Sequence, residues 1–413
     1  MSLARGRQSS DSALASATVT GSNRTSPMLG EIIFWSTALV LIHVYLLYPG
    51  VLYGLSVVRD QVEPYDLNDS DLPAVTLVIA AYNEEEIIGE KIQNSLELDY
   101  PDEHLDIVVF SDASSDSTDR IVRSYEDAGV RLERIEGRVG KTECQNRVVE
   151  GLDSDIVVFS DADSMYEADA IRKLVAKFAD NVGCVVGELR YKKYGVEAES
   201  SYRAFEKLIK RLEAKVSSTA GGNGSIYAVK RDSYVPLPAN HISDFSEPLA
   251  IVQRGERVEY AAEARAWENT GETVESEMSR RIRIVTRSWH TFFDYLGLLN
   301  PIRYPLFSFE LLSHWVLRWL SPLLLGLIAV TNVALVLADA HPIYLLTLFA
   351  QGTFYLLALI GGVMERLDRS NPRITYVPYY FVVLNYSLVA GLRNVVRNRN
   401  IVTWDTETRT DSD

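Results

Sequence analysis

Four stretches of this chain carry no Asp, Glu, Lys or Arg, and the first two are separated by about 250 residues of mixed, polar sequence. The first stretch, Ile32–Val58, exceeds the roughly 20 residues a helix needs to cross a bilayer. The other three, Trp319–Ala338, Ala340–Met364 and Ile374–Leu392, lie near the C-terminus. A purely soluble enzyme does not have such segments. A polytopic transporter would not interrupt them with so long a polar insert.

Charge narrows the classes further. Lys+Arg number 41 against Asp+Glu 56, a formal net charge of −15, whereas a nucleic-acid partner calls for a basic face. Only ten of the 41 basic residues are Lys, and that skew with an acidic excess fits a surface adapted to high salt. Cys144 and Cys184 are the two cysteines, too few for a disulfide framework or a thiolate metal site.

These patterns predict an order of segments. Residues 1–31, rich in Ser, Thr and Ala, are expected to be disordered, 32–58 to be a retained membrane anchor, and 59–73 an exposed linker. A catalytic domain over 74–279 precedes interfacial amphipathic helices over 280–318, where Arg280, Arg283 and Arg287 share one helix face and Trp289, Phe292, Phe293 and Leu296 another. Spans follow at 319–338 and 340–364, then a spanning or interfacial helix at 374–392 and a tail at 393–413. Asp339–His341 carries no Lys or Arg and Glu365–Arg373 carries three Arg. Positive-inside bias then places the catalytic domain in the cytoplasm of a multi-pass protein. It also favours an interfacial 374–392, because a full span there would carry Arg393, Arg397 and Arg399 outward.

Within 74–279 the short runs Val75–Ala81, Asp106–Phe110 and Asp155–Phe159 are apolar throughout and β-branched. They alternate with helical patterns at Glu84–Leu98, Thr118–Ala128 and Thr142–Leu152. Such strands predict an α/β fold with a parallel sheet covered on both faces. A further strand over Cys184–Leu189 and a long amphipathic helix, with Tyr202, Phe205, Leu208, Leu212 and Val216 on one stripe, follow. The heptapeptide Ile-Val-Val-Phe-Ser-Asp-Ala occurs at Ile107–Ala113 and again at Ile156–Ala162. Two buried strands therefore each end in an aspartate, Asp112 and Asp161, at the sheet edge where ligands of α/β folds collect.

Asp161 and Asp163 offer two carboxylates at that edge, spaced to hold a hard divalent cation against a diphosphate. Ser117 or Thr118 can cap the next helix, which leaves Asp112 open to accept the N3–H of a uracil ring. Tyr82 can stack on a base, Glu84 can bond base or ribose, and Lys141 can neutralise nucleotide charge. Each has a plainer reading as well: a solvated turn, a helix cap, an acid near a helix N-terminus, a solvated surface lysine. The sequence predicts that Asp112, Asp161 and Asp163 meet in one crevice.

Six motifs in order, AYNEE, DASSDST, GKTECQN, SDADS, GGNGS and SDFSEPLAIVQRG, resemble the inverting family 2 glycosyltransferases over Ala74–Trp289. The flanking spans are similar to the membrane-anchored branch that includes polysaccharide synthases. The resemblance implies a GT-A fold, a nucleotide-diphosphate sugar as donor, a UDP-sugar in the first instance, and Mg²⁺ or Mn²⁺. It implies that Tyr82, Glu84, Asp112, Lys141 and Asp161 hold the nucleotide sugar. Asp163 and Asp161 hold the metal, and Gly222, Asn223, Gly224 and Ser225 floor the acceptor site.

An inverting transfer needs one base for the acceptor hydroxyl. The family's position for it falls on Asp244, with Ser243 where another acid usually stands. The processive members' Gln/Arg-x-x-Arg-Trp element corresponds to Arg283 through Trp289, with residues inserted, so that Arg287 and Trp289 are left as the diphosphate or acceptor contacts. The expected activity is transfer of a sugar to a lipid-linked or growing glycan beside membrane lipids. The alternatives are a processive synthase of hyaluronan, poly-N-acetylglucosamine or cellulose type, which needs an oligomer to wall a channel, an inactive scaffold of a glycan-assembly complex, and a nucleotidyltransferase.

Overall fold

The computed structural model describes residues 25–59, 69–191, 197–269, 274–367, 369–397 and 399. The expected disordered segment lies outside the described residues up to position 24, as do 60–68 of the linker and 400–413 of the tail.

Eight strands form one sheet: β1 Val75–Ala81, β2 Leu105–Asp112, β3 Val130–Ile135, β4 Ile156–Asp161, β5 Met165–Tyr166, β6 Val182–Tyr191, β7 Tyr227–Lys230 and β8 Arg257–Glu268. Their order is β3-β2-β1-β4-β7-β6-β8-β5. The first four are parallel, as the apolar runs predict. The second half is mixed, which corrects the expectation of a parallel sheet. β7 runs antiparallel to both β4 and β6, and β5 antiparallel to β8. Every residue of β1 is buried, as a strand covered on both faces requires.

The helices in chain order begin with α1 Thr25–Ile42 and α2 Tyr48–Val57, joined through one π-helical turn at His43–Leu47. Next come α3 Ile88–Leu96, α4 Thr118–Arg123, α5 Lys141–Glu150, α6 Ala170–Val175, α7 Glu197–Val216, α8 Ser243–Gln253 and α9 Val274–Asp294. The C-terminal group is α10 Pro305–Glu310, α11 Leu317–Trp319, α12 Ser321–Leu337, α13 Ile343–Arg366 and α14 Arg373–Val396. Helix α1 begins at Thr25, so its first seven residues fall in the segment expected to be disordered.

Among the described residues, two helices are long and apolar enough to cross a membrane, Met28–Val57 and Ile343–Arg366. A third apolar path, Pro305–Trp319 followed by Ser321–Leu337, bends by 60°. Helix α14 packs between α13 and α9. A Cβ on Gly361 would come within 2.4 Å of the Thr375 carbonyl, and one on Gly391 within 2.5 Å of Val285, so the contacts on both sides need glycine.

Helix α7 is amphipathic as expected, but its buried stripe is Ile209, Leu212 and Val216 against Tyr48 and Leu52 of α2. Leu208 instead stands 47% exposed. Helix α9 departs from the interfacial expectation. Trp289 and Phe292 are buried in the main core, with Trp319 lying 4.6 Å and 5.7 Å from their rings, and only Phe293 and Leu296 remain exposed. An aromatic face offers the same apolar area to a protein core as to lipid, and here the core takes it.

Candidate active site

Asp112 ends β2 and Asp161 ends β4, with β1 between them. Asp112 follows Ser111, the partner of Ala81, and Asp161 is the partner of Ala80, so two strand spacings and two residues of offset separate these aspartates, about 11–12 Å. The three-carboxylate cluster is accordingly Asp161, Asp163 and Glu268, whose oxygens lie within 4.8 Å of one another. Glu268, the last residue of β8, joins the expected pair Asp161 and Asp163, while Asp112 lies outside this cluster.

Glu268 is 5% exposed and accepts the hydroxyls of Ser164 (2.6 Å) and Ser225 (2.5 Å). Burial, and then the charge of Asp163, raise its pKa to about 7. Beneath it lies Lys91 of α3, wholly buried, whose Nζ donates to the Ser164 carbonyl (2.5 Å) and sits 4.0 Å over the Tyr166 ring. Burial pulls Lys91 down to about 7 against the opposing charges of Asp163, Asp161 and Glu268. Close carboxylates with a buried glutamate among them suit a hard divalent cation, which takes oxygen ligands and offsets the repulsion among them.

Asp112 is fully buried rather than open. Its Oδ1 accepts the Val139 N–H (2.8 Å), and its Oδ2 accepts the Gly140 N–H (3.0 Å) and Arg138 Nη1 (3.3 Å). Gly137, Arg138 and Gly140 all have positive φ, which folds the loop back so that its amides converge on the carboxylate. The guanidinium of Arg138 lies 3.2 Å from the centroid of the Tyr82 ring, covering a face on which a base was expected to stack. The cap of α4 comes from Asp116, whose Oδ1 accepts the Thr118 N–H (3.0 Å), and not from Ser117 or Thr118. Thr118 Oγ1 instead accepts the Glu84 N–H (2.8 Å), which fixes the turn after β1.

On the other side of the cleft the Gly-rich segment brings three charged ends together. Lys141 at the start of α5 pairs with Asp161 and reaches the Gly224 carbonyl (3.5 Å). A Cβ on Gly224 would stand 3.0 Å from Lys141 Nζ, 3.3 Å from Asp161 Oδ2 and 3.8 Å from Asp244 Oδ2. Asp244, in the first turn of α8, thus faces the cluster. Its Oδ1 is buried and makes no hydrogen bond among the described residues. The backbone is held as well: Gly222 N–H donates to the Asp244 carbonyl (2.7 Å), and Asn223 Nδ2 to the Gly187 carbonyl (2.9 Å).

Arg287 and Trp289, expected as diphosphate or acceptor contacts, are both buried. Arg287 is 7% exposed and donates to the His241 carbonyl and to Thr142 Oγ1 (3.0 Å), tying α9 to the loop that leads into Asp244. Trp289 is buried among Phe292, Phe293 and Trp319. Both side chains are engaged in the frame of the cleft.

Residues 76–234 match the family described as Glycosyl transferase family 2. The poly-beta-1,6-N-acetyl-D-glucosamine synthase of Staphylococcus aureus (strain COL) is 24% identical over 255 residues, 59% of this chain and 61% of that protein. The probable glycosyltransferase YdaM of Bacillus subtilis (strain 168) is 28% identical over 159 residues, 37% of this chain and 38% of its own. Among solved structures, the mannosyltransferase PcManGT from Pyrobaculum calidifontis, in complex with GDP-Man and Mn²⁺, superposes with a TM-score of 0.69 at 22% identity, over 89% of this chain and 99% of that one. The architecture shared with it is the GT-A fold. Residues 76–234 thus form a domain that matches glycosyl transferase family 2 on a sheet of GT-A architecture, in a chain similar to a polysaccharide synthase of which it spans under two thirds.

Proposed function

We propose that the protein is a membrane-held, metal-dependent, inverting glycosyltransferase that moves a sugar from a nucleoside-diphosphate donor to a lipid-linked or growing glycan. The observation that carries this reading is the convergence of Lys141, Asp161 and Asp244 on Gly224, beside the Asp161–Asp163–Glu268 cluster. Asp161, Asp163 and Glu268 would hold Mg²⁺ or Mn²⁺, which when bound neutralises charge on the leaving diphosphate. Lys141 supplies further positive charge on the same side. Asp244 takes the proton of the acceptor hydroxyl as that oxygen bonds to the anomeric carbon and the bond to the diphosphate breaks. Arg287 and the Gly222 amide fix the turn from which Asp244 acts. Tyr82, Glu84 and the Arg138 loop around Asp112 form the nucleotide end, and the loop must shift for a base to reach Asp112.

Membrane placement is supported by the apolar helices and by Trp315, which lies on the bent α10–α12 path. Trp315 packs 4.4 Å from the ring of Phe245, and a Cβ on Gly221 would come within 2.5 Å of it. The acceptor floor and the apolar helices therefore meet. The test uses purified full chain in detergent with a panel of UDP- and GDP-sugars and Mg²⁺ or Mn²⁺, scoring nucleoside diphosphate release. Asp244→Asn should lower turnover by about 10²–10⁴ while retaining nucleotide binding. Unchanged turnover in that variant excludes Asp244 as the base, and pyrophosphate as the product would indicate a nucleotidyltransferase.

The synthase from Staphylococcus aureus favours a second reading, processive extension of an N-acetylglucosamine polymer. Product length separates the two, since a single-addition enzyme stops at one sugar.

A further inference from the structure

On the acceptor side of the cleft, one buried carboxylate gathers more positive charge than it neutralises. Glu188 on β6 is 2% exposed and accepts Arg190 Nε (2.9 Å), Lys207 Nζ (3.2 Å), Arg211 Nη2 (3.0 Å) and the Tyr260 hydroxyl (3.1 Å). Three cations against one anion leave two positive charges, in a chain whose formal net charge is −15. The cations keep 31%, 32% and 49% of their side-chain surface open. An arginine carries five N–H donors and a lysine three, and the bonds to Glu188 use one from each. A clasp between β6 and α7 needs only one such pair. Like charges held this close repel, and an anion bound on the open side relieves that repulsion.

The place of the cluster names the ligand. Glu188 follows Gly187, whose carbonyl accepts Asn223 of the acceptor floor (2.9 Å). Lys210, one residue before Arg211, donates to the Gly222 carbonyl (2.8 Å), and the Gly222 amide bonds the Asp244 backbone (2.7 Å). The cations thus stand beside the floor, with Arg190 paired in register to Trp267, the residue before Glu268. The same helix, α7, packs through Ile209, Leu212 and Val216 on the apolar helix α2.

We infer that Arg190, Lys207 and Arg211 form a phosphate subsite for the acceptor, and that this phosphate is carried by a lipid. The inference rests on the transferase reading and specifies its acceptor. Phosphate could also reach the site on a soluble sugar, so the two sources are tested side by side. Full chain in detergent is assayed for retention of a labelled short-chain polyprenyl phosphate, the matching uncharged polyprenol, and a hexose 1-phosphate. The expected result is that the lipid phosphate binds about ten-fold or more tighter than the polyprenol. Arg211→Gln and Lys207→Gln should each erase most of that preference, and Arg211→Lys should keep it. Equal binding of lipid phosphate and polyprenol, or a preference that survives both Gln variants, overturns the subsite. Tighter binding of the hexose phosphate than of the lipid phosphate overturns the lipid assignment. Nucleoside diphosphate release by the wild type is measured in parallel, and its failure counts against the transferase reading without bearing on anion binding.

Discussion

Glu268 receives two serine hydroxyls, faces two aspartates, and is almost fully withdrawn from water. With its pKa raised to about 7, it holds a proton below that pH, and a divalent cation must displace that proton to bind. Lys91, drawn down to about 7, gains charge over the same range and opposes the cation with the same sign. Mn²⁺ affinity measured by calorimetry should therefore fall as pH drops below about 7, approaching ten-fold per unit, and level off above about 8. In Glu268→Gln the affinity should be weaker and the pH slope shallower; an unchanged slope rules out Glu268 as a ligand. Glu247 gives a second, independent case. It is fully buried in α8, and burial raises its pKa to about 8. The native state then keeps a proton that the unfolded chain has lost, so stability is full below the ordinary carboxyl pKa and declines as pH rises towards about 8. The total is about 3–5 kcal/mol, and thermal midpoints of Glu247→Gln should not share the decline. Asp161 and Asp163 were legible in the sequence because an apolar strand ending in acids points to one place. Glu268 was not, since β8 lies far along the chain and nothing in its local pattern marks its last residue as a neighbour of Asp161 and Asp163. Lys91 was equally hidden, because a lysine within a helical pattern reads as solvated.

At the scale of elements, the strand ends and the glycines around them position the chemistry. The parallel half of the sheet was readable from β1, β2 and β4 because runs apolar on both faces have few other folds open to them. The antiparallel insertion of β7 was not, since strand direction depends on the path of the connection and not on the residues that pair. The turn at Gly137–Gly140 shows a similar limit. Its glycines are visible in the sequence, but the convergence of its amides on Asp112 exists only once β2 and α5 are in place. The Gly-rich floor yields a graded prediction. A Cβ at Gly222 would lie 2.6 Å from the Asp244 carbonyl, which is backbone and cannot step aside, whereas one at Gly224 meets the flexible end of Lys141 at 3.0 Å. Gly222→Ala should cost about 1–3 kcal/mol of stability. It should also lower turnover by about 10²-fold per Å of displacement at Asp244. Gly224→Ala should cost less stability. Denaturation midpoints and turnover measured on both variants check the order, and the reverse order contradicts the packing described here.

The whole molecule couples these parts through a buried polar network. Tyr48 of α2 donates to Glu213 of α7 (2.5 Å), which also bonds His314 Nδ1 (2.7 Å), while Glu206 pairs with Arg318 (2.5 Å). One end of the network is the N-terminal apolar helix and the other the α10–α12 path, with α7 between them. Such a network is costly to leave half-satisfied, so it fixes how the apolar helices meet the catalytic sheet. The apolar stretches themselves were plain in the sequence, while the packing of α14 against α9 depends on Gly391 and Val285 meeting across the chain. What unites sheet, floor and helices is a single claim, that a divalent cation on Asp161, Asp163 and Glu268 drives transfer from a nucleotide sugar. Release of nucleoside diphosphate by full chain in detergent, titrated with Mn²⁺ and compared with Asp163→Asn, tests it most directly. The account predicts release by the wild type that EDTA abolishes and that Asp163→Asn lowers by about 100-fold. Release that persists in EDTA, release undiminished in Asp163→Asn, or no release from any UDP- or GDP-sugar would contradict it.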